Sequence, residues 1–236
     1  MREAEITMTA FCRRFVLAIL MVAASTGPAW SAADDGWKKV GESDGIAGFT
    51  RPTAKSSVDE IRAVGVVNAP VAVVEAVIRD ISIMPQYMFL CKEAALINTP
   101  EMKSAGDAVY FHSVTDMPFP VSDRDAVVKS VWSVDRKTGA VYCRAKGLKT
   151  TFRQNKDIVR MPLLIIECTL APKGEDKTEV IYQVLGDPGG ELPSWLVNML
   201  TSDYGIKTIA GLRKMVSREK FRNAQKVITV TPHDQK

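Results

Sequence analysis

The sequence predicts an α+β fold in which a strongly curved antiparallel sheet wraps around one long C-terminal helix. Three observations predict it. Most of the chain consists of short strand-like runs that alternate apolar and polar residues. Tight-turn signals such as Lys137-Thr138-Gly139 and Lys173-Gly174-Glu175-Asp176 separate these runs, as antiparallel hairpins require. Helical spacing occurs after Pro70 and, over a longer stretch, after Pro193.

The elements follow in order. Gly45 to Arg51 and Val58 to Val67 read as an opening pair of strands, the second with Ile61, Ala63, Gly65 and Val67 on one face. Asn68-Ala69-Pro70 starts a helix with proline pre-set for its first turn. Val73, Val74, Val77, Ile78 and Ile81 form its apolar stripe, and Pro85 is expected to stop it. Tyr87, Met88 and Phe89 make a bulky elbow. Strand-like runs then cover Glu93 to Thr99, Asp107 to Thr115, Asp125 to Val134, Ala140 to Gly147, Ile158 to Leu170 and Thr178 to Leu185. Pro162 makes the fifth of these irregular. The last helix is expected from near Pro193 to about Arg222, with Leu192, Trp195, Leu196, Met199, Leu200, Ile206, Ile209 and Ala210 on one side. Asp203 interrupts that stripe, and Gly205 follows it. This order fits a helix-grip fold. One curved sheet cannot close its own concave face, and a helix laid across it leaves a gap.

Two segments carry more than secondary structure. Met117-Pro118-Phe119-Pro120-Val121-Ser122-Asp123-Arg124-Asp125 joins two strands through prolines that cannot donate ladder hydrogen bonds. The sheet must let go there, and Phe119 is held out of it. Asp187-Pro188-Gly189-Gly190-Glu191-Leu192-Pro193-Ser194-Trp195-Leu196-Val197-Asn198 leads into the last helix. The first segment resembles the P-F-P-x-S-x-R-D signature of the START (steroidogenic acute regulatory protein-related lipid transfer) domain. The second resembles the start of the last helix in bacterial, exported START proteins. The resemblance spans Trp37 to about Arg222 and implies a closed hydrophobic tunnel for one lipid-like molecule, lidded by the last helix and the 117–122 loop.

Residues 1–33 read as a cleaved secretory signal peptide: Arg13 and Arg14 precede an apolar run from Phe15 to Ala24, then Gly27, Pro28 and small residues. The run is shorter than the ~20 apolar residues of a spanning helix. Export implies a periplasmic or secreted protein. Residues 34–236 form a single domain, with 226–236 as a flexible tail. The whole chain carries a net charge of +4, and removing three arginines and two glutamates with the leader leaves +3. That balance gives no reason to expect nucleic acid. Cys91, Cys143 and Cys168 remain, an odd number. Cys143 and Cys168 face the same interior on this strand reading; they are either bridged or, as the reading favours, free buried thiols.

No G-x-S-x-G, H-E-x-x-H, P-loop, G-x-G-x-x-G or C-x-x-C occurs, so neither a catalytic motif nor a metal or cofactor site is expected. His112, in phase with Tyr110 and Val114, is either a contact to a ligand head group or an ordinary strand histidine. The lack of a neighbouring nucleophile favours the latter. The resemblance turns Arg124 towards the tunnel, paired with an acid or with the ligand's polar end. Asp116, Asp123 and Asp125 are its nearest acids in sequence, with Asp203 reached across the helix. Phe119, Trp195, Leu196, Met199 and Ile206 are the expected apolar walls, and Tyr182 a polar contact. Arg213, Lys214, Arg218, Lys220, Arg222 and Lys226 complement the dipole of the last helix or dock on an anionic membrane.

The expected function is non-catalytic binding and transfer of one hydrophobic molecule by a monomer in transient contact with membranes. A rival reading is a polyketide cyclase/aromatase-like enzyme, in which Arg124, His112 and Tyr182 steer proton transfers. A filled interior would instead indicate a scaffold.

Overall fold

The computed structural model describes residues 36–222. The expected leader and tail lie outside that range. Within it, the strands are β1 Lys38–Ser43, β2 Ile46–Arg51, β3 Glu60–Val67, β4 Cys91–Leu96, β5 Ala108–Thr115, β6 Arg124–Val134, β7 Val141–Gly147, β8 Val159–Arg160, β9 Leu163–Pro172 and β10 Thr178–Asp187. The helices are α1 Val71–Arg79, α2 Met84–Tyr87, α3 Ser194–Met215 and α4 Glu219–Arg222. The strands make one sheet in the order β1-β2-β3-β10-β9-β7-β6-β5-β4. Neighbours on that path are antiparallel, and β8 adds to β6 in parallel. A curved sheet with α3 laid across β1–β3 and β10 is the helix-grip arrangement.

Three boundaries differ from expectation for physical reasons. The edge strand β1 has no alternation of buried and exposed residues, and it carries Lys38 and Lys39, which blunt an open edge. It gives no period-2 signal to read. Pro85 does not stop α1. That helix ends at Arg79, where the Asp80 carboxylate accepts a hydrogen bond from the Ser82 amide at 3.2 Å. Pro85 instead sits in the first turn of α2, where a missing N–H costs nothing. The last helix is also shorter than expected. It stops at Met215, and after a turn α4 folds Phe221 into the core, leaving it 4 % exposed. Pro162 falls between β8 and β9, the irregularity expected there.

The sheet and α3 meet at small residues. On β3, Gly65 leaves space for Ile46 and for Ile209 of α3. Gly205 of α3 lies so close to β3 that a Cβ there would sit 2.6 Å from that of Ala63. At Gly211 a Cβ would come within 2.2 Å of the Tyr87 carbonyl oxygen on α2. These approaches fix the C-terminal half of α3. Its N-terminal half, up to Tyr204, spans the cavity described next.

Candidate functional site

An apolar cavity in two chambers lies against the sheet, the outer beneath α3 and the inner beside α1 and α2. The outer has about 100 Å³ of water-accessible space and opens to solvent. The inner has about 40 Å³. Met84, Met88, Phe111 and Ile166 line both, so the two chambers are neighbours that share a wall of side chains. Strand period explains the walls. Phe111, Ser113 and Thr115 of β5 and Ala126 and Val128 of β6 are alternate residues and face inward together. Leu200 and Tyr204, one helical turn apart on α3, close the outer chamber. Met84, Met88, Met117 and Met161 supply adaptable surface around it.

Arg124 organises one end of this cavity. It is 3 % exposed. Nε donates to the Pro188 carbonyl at 3.0 Å, Nη2 to Gly189 at 2.8 Å and Nη1 to Ser122 at 2.6 Å. Gly189 and Gly190, at φ 69° and 68°, bend the chain into a left-handed conformation there. The proline loop and the segment leading into α3 are thus pinned together by a single guanidinium. Burial lowers the Arg124 pKa, partly countered by the nearby Asp123 charge. Asp123 in turn accepts from the Met117 amide at 3.0 Å and from Lys92 at 2.9 Å, closing the base of the loop.

The START domain profile matches residues 29–221, most of the chain. The chain belongs to the START family. An uncharacterized protein of Pseudomonas aeruginosa is 33 % identical over 199 residues, covering 84 % of this chain and 96 % of that protein. The mouse phosphatidylcholine transfer protein is 26 % identical over 175 residues, 72 % of this chain and 78 % of its own length. Among solved structures, a STAR-related lipid transfer protein fragment from Xanthomonas axonopodis superposes with a TM-score of 0.69 at 28 % identity. That match covers 78 % of this chain and all of the fragment.

In this START domain, Tyr182 is the sequence-predicted site residue that lines a chamber, the inner one. The others lie elsewhere. Arg124 bonds carbonyls rather than an acid, because each candidate carboxylate has another cation. Asp116 lies near Lys92 at 3.6 Å, Asp203 pairs with Lys207 at 2.9 Å, and Asp125 is held by Arg160 at 2.7 Å. His112 and Tyr110 are in the outward phase of β5. His112 Nε2 meets Asp125 Oδ2 at 2.8 Å, and Tyr110 lies beneath Lys129. Burial raises the Asp125 carboxyl pKa, but hydrogen bonds from Arg160 and His112 outweigh it and hold the value below the ordinary one. Arg160 also donates to the carbonyls of Thr150 and Phe152, fastening that loop over the outer face of β5 and β6. Arg124, His112 and Tyr182 are therefore not gathered around one reacting centre.

The expected walls shift likewise. Phe119 is 95 % exposed and Trp195 is 50 % exposed, so neither is a wall. Leu196 is fully buried and Ile206 packs where Gly41 and Gly48 leave room, while Met199 lies off the cavity-lining face. Leu200 and Tyr204 take their place. The signal for them was the four-residue spacing Leu196-Leu200-Tyr204. Cys143 and Cys168 stand opposite each other on β7 and β9, line the inner chamber and are free thiols. Burial pushes the Cys168 thiol up to about 12.

Proposed function

We propose that this protein takes up one lipid-like molecule and carries it through water between membranes. The observation that carries this reading is the apolar passage under α3, whose adaptable methionines let it enlarge around a guest. Burying about 400 Å² of apolar ligand surface contributes ~10 kcal/mol at ~25 cal/mol per Å². No covalent step is needed. The relatives named lipid transfer proteins support the same reading.

The N-terminal half of α3 and the 117–122 loop part to admit the ligand, while Gly205 and Gly211 keep the rest of α3 seated. Phe119, Trp195 and the 37 % exposed Val159 sit on the segments gathered around Arg124. They form an apolar rim suited to dip into a bilayer. The basic end of α3 is about 30 Å away along the helix. Its side chains largely serve the fold: Arg213 donates to the carbonyls of Val66 and Asp44, Lys220 pairs with Asp80, and Arg218 reaches Gln86. The signal-peptide pattern of residues 1–33 supports a periplasmic or secreted site for this activity.

Transfer of a fluorescent lipid between vesicles tests the reading. Replacing Phe119 and Trp195 together with serine is expected to slow transfer about tenfold or more, since each aromatic buried in the bilayer contributes roughly 1.5–3 kcal/mol. The amount of lipid held at equilibrium should stay within twofold. Unchanged transfer in the double variant would rule out this rim as the docking edge.

A further inference from the structure

We infer that the inner chamber selects an amphiphile whose buried end is a single uncharged hydroxyl, in preference to a carboxylate or phosphate. This rests on the carrier reading and specifies its cargo.

The Tyr182 side chain lines the inner chamber and is 5 % exposed, yet its hydroxyl has no hydrogen-bond partner among the described residues. The neighbouring Tyr204 ring stacks beside it with centroids 6.5 Å apart. The Tyr204 hydroxyl is near enough to interact with that of Tyr182, but the pair falls short of a well-formed hydrogen bond and leaves Tyr182 open to a better partner. A buried polar group left unpaired is unfavourable and rare in folded proteins. A hydroxyl brought in by a ligand both donates and accepts, so it satisfies Tyr182 whichever way the phenol proton points.

The chamber offers nothing comparable to an anion. Arg79 is the cation in its lining. Its guanidinium is already bonded to the buried Glu75 at 2.8 Å and lies over the Trp132 ring at 4.3 Å. That pair is neutral overall. Burial raises the phenol pKa values of Tyr87, Tyr182 and Tyr204 and the thiol values of Cys143 and Cys168, keeping all of them uncharged near neutral pH. A carboxylate or phosphate entering here would leave water without gaining an uncommitted counter-charge, a large penalty in an apolar site.

The test displaces a bound neutral fluorophore, diphenylhexatriene, with dodecanol, dodecanoate, dodecyl phosphate and dodecane at pH 8. Dodecanol should compete at least tenfold more tightly than either anion and more tightly than dodecane. In Tyr182→Phe, dodecanol should weaken five- to tenfold, while diphenylhexatriene and dodecane change less than twofold. The ligand-free variant should melt no lower than the parent, because it loses an unpaired hydroxyl. Equal binding of dodecanoate and dodecanol would overturn the inference, as would a Tyr182→Phe variant that binds dodecanol unchanged. Tight dodecanoate binding abolished in Arg79→Gln would make Arg79 the reader of an anionic head instead. Failure of diphenylhexatriene itself to bind would remove the cavity reading, and this inference with it.

Discussion

Replacing Gly211 with alanine should lower the unfolding midpoint by about 6–12 °C, the equivalent of ~3 kcal/mol in a domain of this size. Helix propensity alone points the other way, because alanine in a helix interior is favoured over glycine by ~1 kcal/mol. Packing decides the sign. The added methyl would lie 2.2 Å from the Tyr87 carbonyl oxygen and 2.8 Å from its Cα, and both atoms belong to the backbone. No rotamer change relieves that contact, so α3 must lift from α2 or α2 must unwind. Overpacking of this kind costs roughly 1–3 kcal/mol and more where the backbone cannot yield. Gly205→Ala should act in the same direction against Ala63 of β3. Thermal melts followed by circular dichroism read both. A midpoint at or above that of the parent would show that α3 is not seated as described.

Arg124→Met is expected to destabilise the protein by about 2–4 kcal/mol and to speed ligand release. Hydrogen bonds from a charged donor contribute ~1.5–3 kcal/mol each, though not additively, and the substitution leaves the carbonyls of Ser122, Pro188 and Gly189 without this donor. Lysine should recover little of the loss, since one ammonium cannot span three carbonyls as the planar guanidinium fork does. Urea unfolding gives the stability change, and stopped-flow displacement of a bound fluorophore gives the release rate. The combination discriminates between roles. A residue that only contacted the ligand's polar end would lose affinity with stability intact, whereas a pin between two lid segments loses stability and shortens ligand residence together.

The sheet and the long helix were legible because turn chemistry and periodicity are local. Asp135 to Gly139 closes a hairpin with its own side chains, and Pro70 opens α1 where its missing N–H is harmless. The cavity face was harder to read. Alternation on β5 and β6 shows two faces but not which one is hollow. Both are covered: Val114 is 4 % exposed and Val127 fully buried on the outer side. His112 and Tyr110 thus shared a phase that looked interior. On α3, Trp195, Met199 and Ile206 fall on one stripe and the cavity-lining Leu200 and Tyr204 on another roughly 100° or more around the helix, so apolar spacing alone did not name the cavity side. The partners of Arg124 were invisible for another reason. They are main-chain carbonyls, exposed by the bend at Gly189 and Gly190, and residue type does not encode them.

Native mass spectrometry of the protein after incubation with vesicles asks most directly whether the space beneath Leu200 and Tyr204 is a cargo hold. The folded protein should gain the mass of one lipid, at one copy per chain, and keep it through transfer to lipid-free buffer. A spectrum holding the bare protein mass alone, from correctly folded material at saturating lipid, would contradict the account.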